Sequence, residues 1–126
     1  MPDTKPEKVH GVAHVIAATR YSLAGAKRLW GETAFRHEVT LGGSALLLMA
    51  LVGATAGQLV IGLVLVLATF AIEALNTAME EIVDHISPEY SEMAKHAKDL
   101  GSFAVMCMLF ANAAYLAVVV TSCLSS

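Results

Sequence analysis

Charge is missing from two long stretches of this 126-residue chain: residues 39–72 and 100–126 contain no Asp, Glu, Lys or Arg. Aromatic residues are scarce too, at 6%, although 56% of the chain is hydrophobic. Apolar residues gathered in uncharged blocks argue against an ordinary soluble domain and for an integral membrane protein. Cysteine is nearly absent. Cys107 and Cys123, on one helix, would sit about 24 Å apart, too far for a disulfide. They read as small apolar fillers. No GxxxxGK[ST] loop and no protein-kinase signature set occurs, which excludes the familiar nucleotide folds. No Cys or His spacing suits a metal. His10 and His14 are four apart but lack a nearby acid. The first ten residues are polar, with Pro2 and Pro6, so no cleavable signal is expected there. Nothing in the net charge of −3 suggests a nucleic-acid partner.

What is present divides into four segments. Residues 1–8 are expected to be disordered, and 9–126 to form one membrane-embedded domain. Residues 9–30 mix Val12, Val15, Ile16, Leu23, Leu29 and Trp30 with Arg20, Lys27 and Arg28. Such a helix either lies on a membrane surface or packs on the protein itself. Gly25 and Gly31 weaken or interrupt it. Glu32 and Arg36 are four apart and could pair on a helix face. Spans are expected at about 35–56, 58–86 and 88–124. The turn between the first two is expected at Thr55–Gln58, with Gly53 and Gly57 hinting at close helix contact. Ser87-Pro88-Glu89 reads as the start of the last helix: N-cap, N1 proline, first-turn acid. Asn112 and Tyr115 are mid-depth polar residues that could bond a neighbouring helix or touch a ligand.

All eight Lys and Arg residues lie in the N-terminal region or between residues 81 and 99. The positive-inside rule then places both regions in the cytoplasm and the C-terminus outside.

One stretch carries the chemistry: Glu73-Ala-Leu-Asn76-Thr-Ala-Met-Glu80-Glu81-Ile-Val-Asp84. On a helix, Asn76, Glu80 and Asp84 fall within about 60° of Glu73. Two readings fit. The span ends near Ile72 and the acids are a solvated face, or they form a site at the hydrocarbon edge. Paired carboxylates suit Mg²⁺ with substrate phosphates. A carboxylate at the lipid interface suits a proton acceptor for a lipid hydroxyl. A lysine such as Lys98 suits a phosphate oxygen. Together these suffice for phosphoryl transfer, which needs mainly positioning and charge neutralisation.

The pattern E-x-x-N-x-A-x-E-x-x-x-D at Glu73–Asp84 is followed by Glu89-Tyr90 and by Ala97-Lys98-Asp99-Leu-Gly101-Ser102. Upstream stand Tyr21-Ser-Leu-Ala-Gly25 and Glu32-Thr-Ala-Phe35-Arg36. In that order the chain resembles the prokaryotic diacylglycerol kinases over about residues 14–120. The resemblance implies an all-α integral membrane fold: three transmembrane helices and an N-terminal amphipathic surface helix, assembled as a homotrimer with shared sites. It implies transfer of the γ-phosphate of ATP to diacylglycerol, with Mg²⁺, at the inner membrane of a bacterium. It implies that Glu73 accepts the proton and contacts substrate, that Glu32 and Glu80 hold the metal, and that Asn76, Lys98 and Asp99 line the catalytic and nucleotide shell. Tyr21, Glu89 and Tyr90 would meet the nucleotide, and Ser102 the lipid. His14 stands where many family members carry arginine, so that contact is not transferred. Undecaprenol is the alternative substrate within the family; a non-catalytic membrane oligomer is the alternative outside it.

Overall fold

The computed structural model describes residues 3–126. Met1 and Pro2, part of the segment expected to be disordered, lie outside the described residues. Four helices and no strand occur among the described residues: α1 (Val12–Trp30), α2 (Thr33–Leu51), α3 (Ala56–Ile86) and α4 (Glu92–Leu124). Two of them, α3 and α4, are long and apolar enough to cross a membrane. At 1.5 Å per residue they run about 46 and 50 Å, longer than a hydrocarbon core of about 30 Å. Their polar ends therefore reach beyond it.

The α3–α4 pair is the spine. Tyr115 donates to the Gln58 carbonyl at 2.8 Å, and Asn112 donates to Thr69 Oγ1 at 2.8 Å. Lys98 meets Asp84 at 2.5 Å. As the α4 number falls, the α3 number rises, so the two helices are antiparallel. Their polar ends, Glu73–Asp84 and Glu92–Asp99, therefore lie at the same end. α2 leans on α3 through glycines. A Cβ at Gly42 would come 2.9 Å from Val66 Cγ1, and one at Gly62 would press on Leu46 and Met49. Small residues let helices approach where no hydrophobic drive separates lipid from protein. Edge-on aromatic contacts tie the other elements in: Trp30 to Phe35 at 6.2 Å, and Phe35 to Phe70 at 5.0 Å.

Several expectations about boundaries are corrected. The α2–α3 turn is Val52–Thr55, not 55–58. Gly53 takes φ +89° there, and Thr55 caps α3 in a reciprocal box with Gln58. Gly57 thus lies in the first helical turn, and the close-contact glycines are Gly42, Gly62 and Gly101 rather than Gly53 and Gly57. α4 starts at Glu92, not after Ser87. Ser91 is its cap, accepting from the Ala94 N–H at 3.1 Å. Ser87 instead bonds the Glu89 carbonyl and Ser91 Oγ, which holds residues 87–91 as a loop. Gly25 does not interrupt α1; Gly31 ends it. Glu32 does not pair with Arg36. It is the N-cap residue of α2, outside that helix, and takes Arg28 instead.

The buried apolar set is small: Leu29, Phe35, Met49, Val66, Val83, Ala94 and Val119. Large apolar side chains stand exposed on every helix, among them Val12, Leu47, Val64 and Phe110. So much bare apolar surface needs lipid or another chain to cover it. In α1 only Leu29 is buried.

Candidate active site

The buried face of α3 repeats at helical spacing: Gly62, Val66, Thr69, Glu73 and Thr77. Glu73 is the acid on it, only 5% exposed. Opposite lies Glu38 of α2, 6% exposed, close enough for the two carboxylates to interact directly. Glu38 Oε2 has no hydrogen-bond partner. The charges of Glu80 and Glu32 also reach Glu73. One turn beyond Glu73, Asn76 Nδ2 donates to Glu80 Oε1 at 3.3 Å. The Asn76 Oδ1 is buried without a partner.

Glu32 sits at the α1–α2 corner. Arg28 reaches it at 2.8 Å and, with its other amino group, pairs with Glu81 of α3. The two carboxylates push the already high proton affinity of Arg28 higher. Beneath these groups an apolar slot of about 250 Å³ opens between α2, α3 and α4. Glu38, Thr69 and Asn112 are its polar lining. A second cleft, about 330 Å³, lies over the 87–91 loop and gathers Asp84, Glu89, Tyr90, Lys98 and Asp99. Lys98 is paired with Asp84, and Asp99 with Lys95 at 2.7 Å.

Residues 20–120 match the sequence model of the prokaryotic diacylglycerol kinases. The chain is 55% identical over 114 residues to a diacylglycerol kinase of Sinorhizobium sp., covering 90% of this chain and 83% of that one. It is 40% identical to the diacylglycerol kinase of Haemophilus influenzae, over 81% of this chain and 87% of that one. With the diacylglycerol kinase of Escherichia coli K12 the identity is 37%, over 76% and 80%. The chain belongs to the prokaryotic diacylglycerol kinase family.

Every residue assigned from the family motifs falls inside the matched range. Within a single chain they fall in two adjoining groups, with the charge of Glu80 reaching Lys98 between them. Glu32, Glu73, Asn76 and Glu80 gather around the α2–α3 contact, while Glu89, Tyr90, Lys98 and Asp99 share the loop cleft. Tyr21 joins neither group. It is 63% exposed on α1, beside a hollow with residues of the N-terminal segment and His14. Ser102 is exposed on α4 and lines none of the three clefts described. Among the described residues no three acids, histidines or cysteines draw together tightly enough to enclose a metal ion.

Sequence reasoning missed Glu38, leaving it in a charged patch ahead of the first span. A signal was available. Phe35, Glu38, Gly42, Ala45 and Met49 recur at helical spacing, so Glu38 lies on the face α2 turns inward.

Proposed function

We propose that this chain is a lipid kinase that transfers the γ-phosphate of ATP to the hydroxyl of diacylglycerol, giving phosphatidic acid and ADP. One observation carries the reading: Glu73 is buried where the apolar part of α3 gives way to its polar part, in a chain whose relatives are named diacylglycerol kinases. A hydroxyl anchored at that depth by two acyl chains would meet this carboxylate. The hydroxyl oxygen attacks the γ-phosphorus, its proton passes to Glu73, and the bond to the ADP oxygen breaks. Asn76, one turn away, orients the neighbouring carboxylate of Glu80. Lys98 would face phosphate oxygens, with Asp99, Glu89 and Tyr90 around the nucleotide. Tyr21 would come to the nucleotide from the surface helix, and Ser102 to the lipid from α4.

The donor chemistry suits Mg²⁺, which would displace Arg28 from Glu32. Glu32 and Glu80 offer hard carboxylate oxygens, and Mg²⁺ takes one or two of these together with phosphates. The ion would neutralise charge on the transferring group. Two carboxylates without a third protein ligand suit an ion that arrives with its nucleotide.

The same reading covers the membrane and the assembly. α2, α3 and α4 would span, α1 would lie on the cytoplasmic surface, and the N-terminus would face the cytoplasm of a bacterial inner membrane. The support is the charge distribution: residues 52–55 and 125–126 have no Lys or Arg. A homotrimer with shared sites is supported by the bare apolar faces and by Ala71, Ala74 and Ala78 left exposed on α3.

The test is transfer from γ-labelled ATP in mixed micelles, with diacylglycerol and undecaprenol side by side. Label in phosphatidic acid supports the reading. Label only in the polyprenyl phosphate moves the substrate. Label in neither, from folded protein with Mg²⁺, overturns the kinase and leaves a non-catalytic oligomer.

A further inference from the structure

Gly101 stands where α4 crosses α3 at the level of Asn76. A Cβ built there would collide with Asn76 Oδ1, and would come 2.7 Å from Met79 Cε. Met79 can swing its terminal methyl aside. The Asn76 carboxamide sits on a short stem and cannot, except by rotating. That same Oδ1 is the buried acceptor with no conventional partner. The Gly101 Cα–H faces it and is the weak donor on that side. With Oδ1 turned to Gly101, Nδ2 is turned to Glu80 and donates to it.

We propose that Gly101 is a positioning residue: the bare Cα of α4 seats the Asn76 carboxamide so that its amide holds the Glu80 carboxylate. The consequence for turnover rests on the kinase reading above; the geometry does not. A carboxamide rotated by a methyl group at position 101 would release Glu80, although neither Gly101 nor its methyl would touch a reactant. The three nearest atoms all belong to the Asn76 and Met79 side chains, so the collision falls on those side chains first.

The experiment compares wild type, Gly101→Ala, Asn76→Ala and the double variant in micelles. Gly101→Ala is expected to lower kcat by about tenfold and to shift the Mg²⁺ half-saturation, with KM for lipid changed by less than about twofold. In the Asn76→Ala background the same methyl should cost less than about twofold more. Losses that multiply independently overturn the proposal. So does restoration of transfer in Gly101→Ala/Met79→Ala, which would put the cause in crowding at Met79.

A readout without turnover accompanies this. The Asn76 side-chain amide resonances, assigned by their loss in Asn76→Ala, should move in both Gly101→Ala and Glu80→Gln. Unmoved resonances in Gly101→Ala overturn the proposal. If Gly101→Ala does not yield folded protein, the resonances are read in Gly101→Ala/Met79→Ala, with the same two outcomes. A wild type that phosphorylates no lipid sinks the kinase reading alone, since the amide resonances still decide the geometry.

Discussion

The two ends of the α3–α4 pair are built differently. At the apolar end, polar groups are few and satisfied. Asn112 donates to Thr69 Oγ1 and to the Met108 carbonyl, Thr69 donates to the Leu65 carbonyl, and Tyr115 donates to the Gln58 carbonyl. At the polar end, two buried oxygens, Glu38 Oε2 and Asn76 Oδ1, have no conventional partner. An unsatisfied buried acceptor costs roughly 1–3 kcal/mol, so such groups persist where something other than stability keeps them. The satisfied end holds the helices in register. The unsatisfied end is where the buried acids and Asn76 of α2 and α3 gather.

That contrast can be broken from either side. The largest effect is expected at Glu73. Glu73→Gln should lower phosphate transfer by about a thousandfold or more while leaving thermal unfolding in detergent no worse, because a buried carboxylate becomes a neutral amide of the same shape. Transfer within about tenfold of wild type would refute the proton-acceptor role. Glu80→Gln should raise the Mg²⁺ concentration for half-maximal rate by about tenfold, read by metal titration at saturating ATP. An unchanged titration would remove Glu80 from the metal.

At the satisfied end the signs reverse. Asn112→Ala should cost about 1 kcal/mol of stability, read as a lower Tm, with turnover per folded molecule within about twofold of wild type. Tyr115→Phe removes one hydroxyl and should cost less, about 0.6 kcal/mol. Smallest, and back at the polar end, is Asp84→Asn. Its pair with Lys98 is solvent-exposed, so the change in Tm should be close to nil and should vanish in high salt.

Much of this was legible from periodicity along one helix. Glu73, Asn76 and Glu80 are neighbours because they follow one another at steps of three and four residues, and any reader of helical spacing would group them. Contacts between helices were not legible in that way. Glu38 meets Glu73 only through the α2–α3 packing at Gly42 and Val66. The Arg28 link to Glu81 likewise crosses from α1 to α3. Boundaries went astray where the same residue type signals two things. Thr55 and Gln58 look like turn residues and are in fact a cap. Ser87 and Ser91 are both plausible caps, and the one that won places its hydroxyl on the Ala94 N–H. The four-residue spacing of Glu32 and Arg36 suggests a pair on one helix face, but Glu32 stands at the threshold of that helix.

The capping box at the start of α3 bears on how such a chain would enter a bilayer. Thr55 Oγ1 takes the Gln58 N–H, and Gln58 Oε1 takes the Thr55 N–H, at 3.2 and 2.9 Å. Gly53, at positive φ, closes the bend in few residues. With residues 52–55 uncharged, the leading tip of an inserting hairpin would carry two of its exposed donors already satisfied from within. Translocation of that tip would shed neither an ion's hydration shell nor those two amide–water bonds. The barrier to threading the hairpin would therefore be set by its remaining open carbonyls and amides rather than by charge.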